Sequence, residues 1–411
     1  MRPLPRVVIV GGGFGGLQCA KALRGRPVDV LLVDRHNYHL FTPLLYQVAS
    51  CLLNPSEVTA PLRKVFRGSA NVRYREGEVA GADFVGKVVR LADGAELPYD
   101  YLVLATGSQT NYYENQSVRE HALGLKDLGE ALQLRNHVLQ CLERATTAPT
   151  EEERLRLLTF CIVGGGPTGV EYAGALGELA RLVLPHEYPE LSASSLRILL
   201  LEGGDRLLTM FVPRLSKYAR RELERRGVDV RTNTLVASAD DMGVVLNDGT
   251  EIATATMVWT AGVLPNDPVH EHPKRLEVDD HLRVADADGV FAIGDVAAAH
   301  DKLGTVLPMV SPPAMQAGRY VARHILDADT RRSFRYRDKG TLATIGRRSA
   351  VGQVGPLRFR GFLGWVVWLV VHLYYLIGFE NRVRVMMRWG WYYLRLDRPI
   401  RVIVEADPPK Q

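Results

Sequence analysis

Two apolar strands, each running straight into a glycine turn and then a helical pattern, predict an α/β chain with two Rossmann-like dinucleotide-binding domains. A third observation adds a C-terminal membrane-associating helical segment. From Arg331 to Gln411, sixteen Lys and Arg stand against five Asp and Glu around a nearly unbroken apolar run.

The first turn is VVIVGGGFGG, Val7 to Gly16, and the second is FCIVGGGPTG, Phe160 to Gly169. In a GxGxxG turn the first glycine makes the tight bend and the second lets backbone approach a pyrophosphate. The third lets helix and strand pack closely, with the helix N-terminus facing the phosphates. The following strands, VDVLLVD and LRILLLE, end in Asp34 and Glu202. A carboxylate there accepts hydrogen bonds from an adenosine ribose. Glu202 would also repel a 2′-phosphate, so the second cofactor is expected to be NADH rather than NADPH, with Arg206 as an opposing influence. Two such sites imply an enzyme passing electrons between two dinucleotides.

The 411 residues allow two or three domains. The pattern divides them as 1–112 and 270–330 for the first dinucleotide domain, 113–269 for the second, and 331–411 for the tail. The segment HNYHLFTPLLYQVASCLLNPSEVTAPLR, after Asp34, is too irregular for one helix. A helix is expected from about Asp127 to Ala145, and GVFAIGDVAA reads as a strand stopping at Gly294-Asp295. Cys19, Cys51, Cys141 and Cys161 show no paired spacing, which argues against a dithiol reductase and a disulfide framework; no metal site is expected. With no signal peptide before the first strand, the protein is expected on the cytoplasmic side.

The formal charge of +5 conceals an asymmetry: the tail carries +11, leaving −6 for the rest. Within it, Gly361 to Phe379 reads GFLGWVVWLVVHLYYLIGF, with only His372 ionisable. As one helix it would reach ~28 Å, just enough for a hydrocarbon core. Arginines flank it and four of the five tryptophans lie between Trp365 and Trp391, which suits an anionic membrane interface. Helices lying in one leaflet are favoured over a span. A buried hairpin or dimer interface is the competing use of this run. A nucleic-acid face would explain the charge but not so continuous an apolar stretch.

Together these segments resemble the two-dinucleotide-binding flavoproteins of glutathione-reductase-like architecture. Within them, the match is to the type II NADH:quinone oxidoreductases. It runs through VVIVGGGFGGL, DRHNYHLFTPLLYQVAS, ATGS, IVGGGPTGVEYAGALGEL, WTAG, FAIGD and DKGTLATIGRRSAVGQVG. The resemblance implies that Gly11, Gly13, Phe14, Gly15 and Gly16 cradle FAD, with Asp34 and Arg35 on its ribose side. It places Thr42 and Pro43 beside the flavin ring, Thr106 and Gly107 near the phosphates, and Asp295 on the ribityl chain. Gly164, Gly166, Pro167, Thr168, Gly169 and Glu202 would serve NADH, with Gly262 near its nicotinamide half.

Glu171 has two readings. It could complement the helix dipole at the start of its helix, or, as the resemblance implies, take part in hydride or proton handling. At the acceptor site the sequence departs from the family's AQxAxQ. Here SPPAMQ puts Pro312 where the first glutamine stands, while Gln316 matches the second and either contacts quinone or packs. The expected reaction carries a hydride from NADH to FAD and two electrons onward to a membrane quinone, without proton pumping. Removal of residues after about Arg358 is expected to spare NADH-to-dye activity and abolish membrane attachment. A sulfide:quinone-type enzyme, a ferredoxin reductase and a low-turnover membrane-attached redox sensor are the alternatives. Oligomeric state stays open, a homodimer included.

Overall fold

Val7, Val8, Ile9 and Val10 are all buried, as a central parallel strand covered on both faces requires. The computed structural model, which describes residues 3–182, 184–192, 195–267, 274–326, 332–395 and 400–403, builds two units around such strands. The first comprises Met1–Leu40, Thr59–Gln109 and Val263–Lys339; the second comprises Phe41–Val58, Thr110–Gly262 and Gly340–Gln411. The boundaries expected at 269/270 and 330/331 lie outside the described residues.

In the first unit Arg6–Val10 occupies the middle of a parallel sheet. Asp29–Asp34 and Val72–Glu76 lie on one side, and Tyr101–Leu104 and Val290–Ala292 on the other. The strand order reverses at Arg6–Val10, so its carboxyl end is where this sheet type offers a ligand crevice. The antiparallel strands Val79–Asp83, Val88–Leu91 and Glu96–Pro98 pack Val89, Leu91 and Leu97 onto the sheet core. The helix Phe14–Leu23 meets the helix Ser311–Leu326 so closely that a Cβ on Gly318 would stand 2.2 Å from the Gly15 carbonyl oxygen.

The second unit repeats the plan. Thr159–Val163 is central, flanked by Arg197–Leu201 and Val228–Arg231 on one side and by Thr256–Trp259 and Ala122–Gly124 on the other. Its antiparallel companion is Val236–Ala239, Gly243–Leu246 and Glu251–Ala253. The helix Leu128–Thr146 starts at a capping box: Asp127 Oδ1 accepts from the Glu130 N–H at 2.9 Å and Glu130 answers to the Asp127 N–H.

Two further pieces complete this unit. The irregular segment after Leu40 contributes a 3-10 turn, Thr42–Leu44, and the helix Leu45–Ala49 before the chain returns at Thr59. The tail supplies the antiparallel strands Thr341–Gly346, Ser349–Val354 and Leu357–Arg360, then the helices Gly361–Tyr375 and Phe379–Arg395. The apolar run is therefore broken near Gly378, at φ +88°, and no described helix is long and apolar enough to cross a membrane.

Candidate functional site

The two glycine turns have the same geometry, glycine for glycine. Gly11 and Gly164 sit at φ +105° and +112°, and a Cβ there would strike backbone of the adjacent strand's end, 2.2 Å from the Ala105 oxygen and 2.7 Å from the Thr260 carbon. Gly16 and Gly169 would each place a Cβ about on top of the first glycine's carbonyl oxygen, at 1.9 and 2.0 Å. Gly13 and Gly166 differ, since a Cβ on either meets nothing within 4 Å. Two glycines of each turn are thus demanded by packing, and the middle one is demanded only by what comes to lie there. That arrangement fits a pyrophosphate at each turn.

The strand-end carboxylates match as well. Asp34 accepts from the Gly12 N–H at 2.5 Å and the His36 N–H at 2.7 Å; Glu202 accepts from the Gly165 and Gly204 N–H groups, both at 2.6 Å. Each carboxylate is held over its glycine turn by backbone donors. His39, which sequence reasoning passed over, is buried behind the first turn with Nδ1 2.9 Å from the Gly12 carbonyl, and burial lowers its pKa to about 4.

In the first unit Asp295 lies on the 3-10 turn Gly294–Val296, accepting from the Ser108 hydroxyl at 2.5 Å. Thr106 donates its hydroxyl to the Asn266 carbonyl, and Gly107, at φ +73°, has open space where a side chain would be. Phe14 and Gly15 open the first helix, and Arg35 is exposed beside Asp34. Thr42 and Pro43 belong to the second unit. There Pro167 and Thr168 begin the helix Pro167–Leu182, and Gly262, at φ +144°, lies under the Tyr113 ring. Tyr113 donates to the Ala261 carbonyl at 2.8 Å, a neighbour that local pattern did not announce.

Glu171 does not face the glycine turn as a dipole complement. It is 8% exposed, and its Oε1 accepts from the Thr344 N–H at 3.1 Å on the C-terminal sheet. Burial pushes its carboxyl up to about 8, against the opposing pull of the Thr344 N–H and of the Trp368 indole, which acts from outside strict hydrogen-bonding geometry. Around it the second unit assembles buried polar side chains. Tyr46 Oη accepts from Gln47 Nε2 at 2.8 Å, and Gln47 Oε1 accepts from Trp389 Nε1 at 2.8 Å. Tyr392 Oη donates to Glu178 Oε2 at 2.6 Å. A carboxyl that keeps its proton near neutral pH, in a water-poor setting, can give or take that proton during turnover.

Residues 5–318 match the family model described as pyridine nucleotide-disulphide oxidoreductase. The type II NADH:quinone oxidoreductase Ndh of Mycobacterium tuberculosis is 36% identical over 416 residues, covering 96% of this chain and 89% of that protein. NdhA of the same organism, also a type II NADH:quinone oxidoreductase, is 38% identical over 410 residues, covering 94% and 86%. The chain belongs to the type II NADH:quinone oxidoreductases. Its fold is shared with NDH2 from Plasmodium falciparum in complex with NADH, at 20% identity and a TM-score of 0.88, covering 98% of this chain and 100% of that one. A type II NADH:quinone oxidoreductase works with FAD and NADH, and the two glycine turns offer one site for each.

The tail of this oxidoreductase is two-faced. Trp368, Trp389 and Tyr392 are buried, with Trp368 stacked on His372 at 4.1 Å and 5.8 Å from Trp389. Burial lowers the His372 pKa to about 4, so its imidazole is neutral within the apolar run. On the opposite side Leu363, Val370, Tyr374, Phe379, Met387 and Trp391 are exposed. The two helices thus bury one aromatic side and leave large apolar side chains exposed on the other.

Gln316 is placed by its amide. Nε2 donates to the Arg337 carbonyl at 2.9 Å and Oε1 accepts from the Arg337 N–H at 3.0 Å, so one N–H and one lone pair of the amide meet the backbone of a single residue. These two bonds are what supports the packing reading; contact of Gln316 with quinone is a proposal that they leave open. Pro312 stands in the first turn of the helix Ser311–Leu326, where a missing N–H costs nothing. All four cysteines are buried.

Proposed function

We propose that the chain oxidises NADH and reduces a membrane quinone, two electrons at a time, without proton pumping. The observation that carries this reading is the pair of glycine turns with matched carboxylates, together with a buried, proton-holding Glu171 under the C-terminal helices. Gly11, Gly13, Phe14, Gly15, Gly16 and Asp34 would hold the FAD diphosphate and ribose, with Arg35, Thr42, Pro43, Thr106, Gly107 and Asp295 contributing further along the cofactor. Gly164, Gly166, Pro167, Thr168, Gly169 and Glu202 would hold NADH, with Gly262 toward its nicotinamide half. When bound, FAD supplies acceptance of a hydride and return of two electrons to an organic acceptor.

The chain's own residues position and protonate. The glycine turns present helix N-termini and backbone N–H groups to phosphates. Asp34 and Glu202 orient riboses. Glu171 holds a proton for the acceptor half of the reaction, and its burial keeps that proton in place at neutral pH. The exposed apolar face of the two C-terminal helices, with Arg384 and Arg395 on the second of them, would lie on an anionic lipid surface at the cytoplasmic face of the membrane. A lipid-soluble quinone would reach the enzyme from there.

The test is steady-state oxidation of NADH and of NADPH by the FAD-loaded protein with a short-chain quinone, alongside co-sedimentation with vesicles. Quinone-dependent NADH oxidation and sedimentation with anionic but not neutral vesicles support the reading. Loss of either would refute the corresponding half.

A further inference from the structure

A groove of about 1200 Å³ runs along the helix Leu128–Thr146 in the second unit, between that helix and Ile400 and Val402 of the tail. Leu123 and Leu132 add apolar wall, while Asn136, Gln140 and Arg388 supply polar atoms. Among the described residues lining it there is no Asp or Glu.

Arg135 is the unusual member. Its side chain is almost wholly buried, at 4% exposure, yet no described carboxylate pairs with it. Among the described residues its Nε has no hydrogen-bond partner, and its one side-chain bond, from Nη2 to Asn136 Oδ1, is stretched to 3.5 Å. The neighbouring Arg388 shows the ordinary solution, lying 3.4 Å from Glu57. A guanidinium cannot shed its proton to escape burial, so an unpaired one persists at a cost that an incoming anion would offset. Its fork also suits a carboxylate or phosphate better than any neutral group.

The apolar wall and the position of the groove say what should carry that anion. Arg388 lies on the helix Phe379–Arg395, whose Met387 and Trp391 belong to the exposed apolar face. We propose that this groove binds an amphiphile with an anionic head, the head on Arg135 and the chain along Leu132, Ile400 and Val402. The ligand class is a fatty acid or an anionic phospholipid drawn from a lipid surface, separate from NADH, FAD and quinone.

The experiment is calorimetric titration of the FAD-loaded full chain with octyl phosphate below its micellar concentration. Octyl glucoside controls for the tail and inorganic phosphate for the head. Saturable binding of one octyl phosphate per chain is expected, at least about tenfold tighter than either control. Arg135→Met should weaken it by about tenfold or more, with Arg135→Lys recovering part, while NADH-to-dye activity stays unchanged. Leu132→Glu, which places an acid on the half-buried groove wall, should weaken it too and carries the test if Arg135→Met does not fold. Binding no tighter than octyl glucoside or inorganic phosphate would overturn the proposal, as would binding undiminished by Arg135→Met or by Leu132→Glu.

Discussion

The backbone N–H of Thr344 donates to Glu171 Oε1 at 3.1 Å, tying the helix behind the second glycine turn to the C-terminal sheet. Gly174, on the same helix, allows the approach, since a Cβ there would stand 2.1 Å from the Ile345 carbonyl oxygen. The helix that begins at a cofactor turn is thereby fixed against the part of the chain that carries the exposed apolar face.

Glu171 should give the enzyme a pH signature. Its proton is lost near the ordinary 4.5 when the chain is unfolded but only near 8 in the folded chain. Folding therefore takes up a proton between those values, so the stability it contributes is complete below pH 4.5 and disappears as pH rises through about 8. The wild-type unfolding temperature is expected to fall across this window more steeply than that of Glu171→Gln. Quinone turnover should decline above pH 8 in the wild type, and Glu171→Gln should lower it about 100-fold at neutral pH and flatten the profile. Parallel unfolding and rate profiles for the two proteins check both statements.

The glycines separate packing from binding. Gly13→Ala and Gly166→Ala should fold normally, because their Cβ atoms enter open space, yet the first should lose FAD and the second should raise the KM for NADH. Gly16→Ala, with a Cβ 1.9 Å from the Gly11 oxygen, should instead cost about 3 kcal/mol of stability. FAD content, NADH kinetics and denaturant midpoints distinguish the cases; a destabilised Gly166→Ala with unchanged KM would contradict the assignment.

How much of this was legible in the sequence depends on distance along the chain. The glycine turns, Asp34, Glu202 and the Asp127 cap act within one strand–turn–helix unit, so local pattern contains them. Thr150-Glu151-Glu152-Glu153 opens a separate helix, Glu151–Leu157, with Thr150 accepting from the Glu153 N–H, a cap that local pattern also contains. Glu171 accepts from Thr344 and has Trp368 near it, both brought in from the far end of the chain, and no periodicity encodes that meeting. Likewise nothing local shows that Phe41–Val58 leaves the first unit to pack in the second.

The tail calls for point substitutions rather than deletion. A cut after about Arg358 would remove Trp368, Trp389 and Tyr392 from the interior of the second unit, so the sparing of NADH-to-dye activity expected from sequence no longer follows. Val370→Glu with Phe379→Glu, at 63% and 81% exposed positions, should abolish co-sedimentation with anionic vesicles and leave NADH-to-dye activity intact. Undiminished sedimentation of the double variant would place membrane contact elsewhere.

Gln316→Leu removes two hydrogen bonds to Arg337 and should cost about 2 kcal/mol of stability with the quinone KM nearly unchanged. A quinone KM raised about tenfold at unchanged stability would assign Gln316 to direct contact with the acceptor instead.

If Glu202 is the carboxylate that opposes a 2′-phosphate, as proposed, Glu202→Ala should relax donor choice and leave Arg206 nearby. The ratio of kcat/KM for NADH over NADPH is expected to fall by about tenfold or more. An unchanged ratio would mean that selectivity resides outside this strand end.

The most direct test is rapid-mixing absorbance of the FAD-loaded protein, reduced with one equivalent of NADH and then mixed with a short-chain quinone. Prompt bleaching of the flavin by NADH, followed by fast reoxidation by quinone, is the predicted result. Bleaching followed by sluggish reoxidation would contradict quinone as the acceptor, and failure of NADH to bleach the flavin would contradict the reading of the second glycine turn.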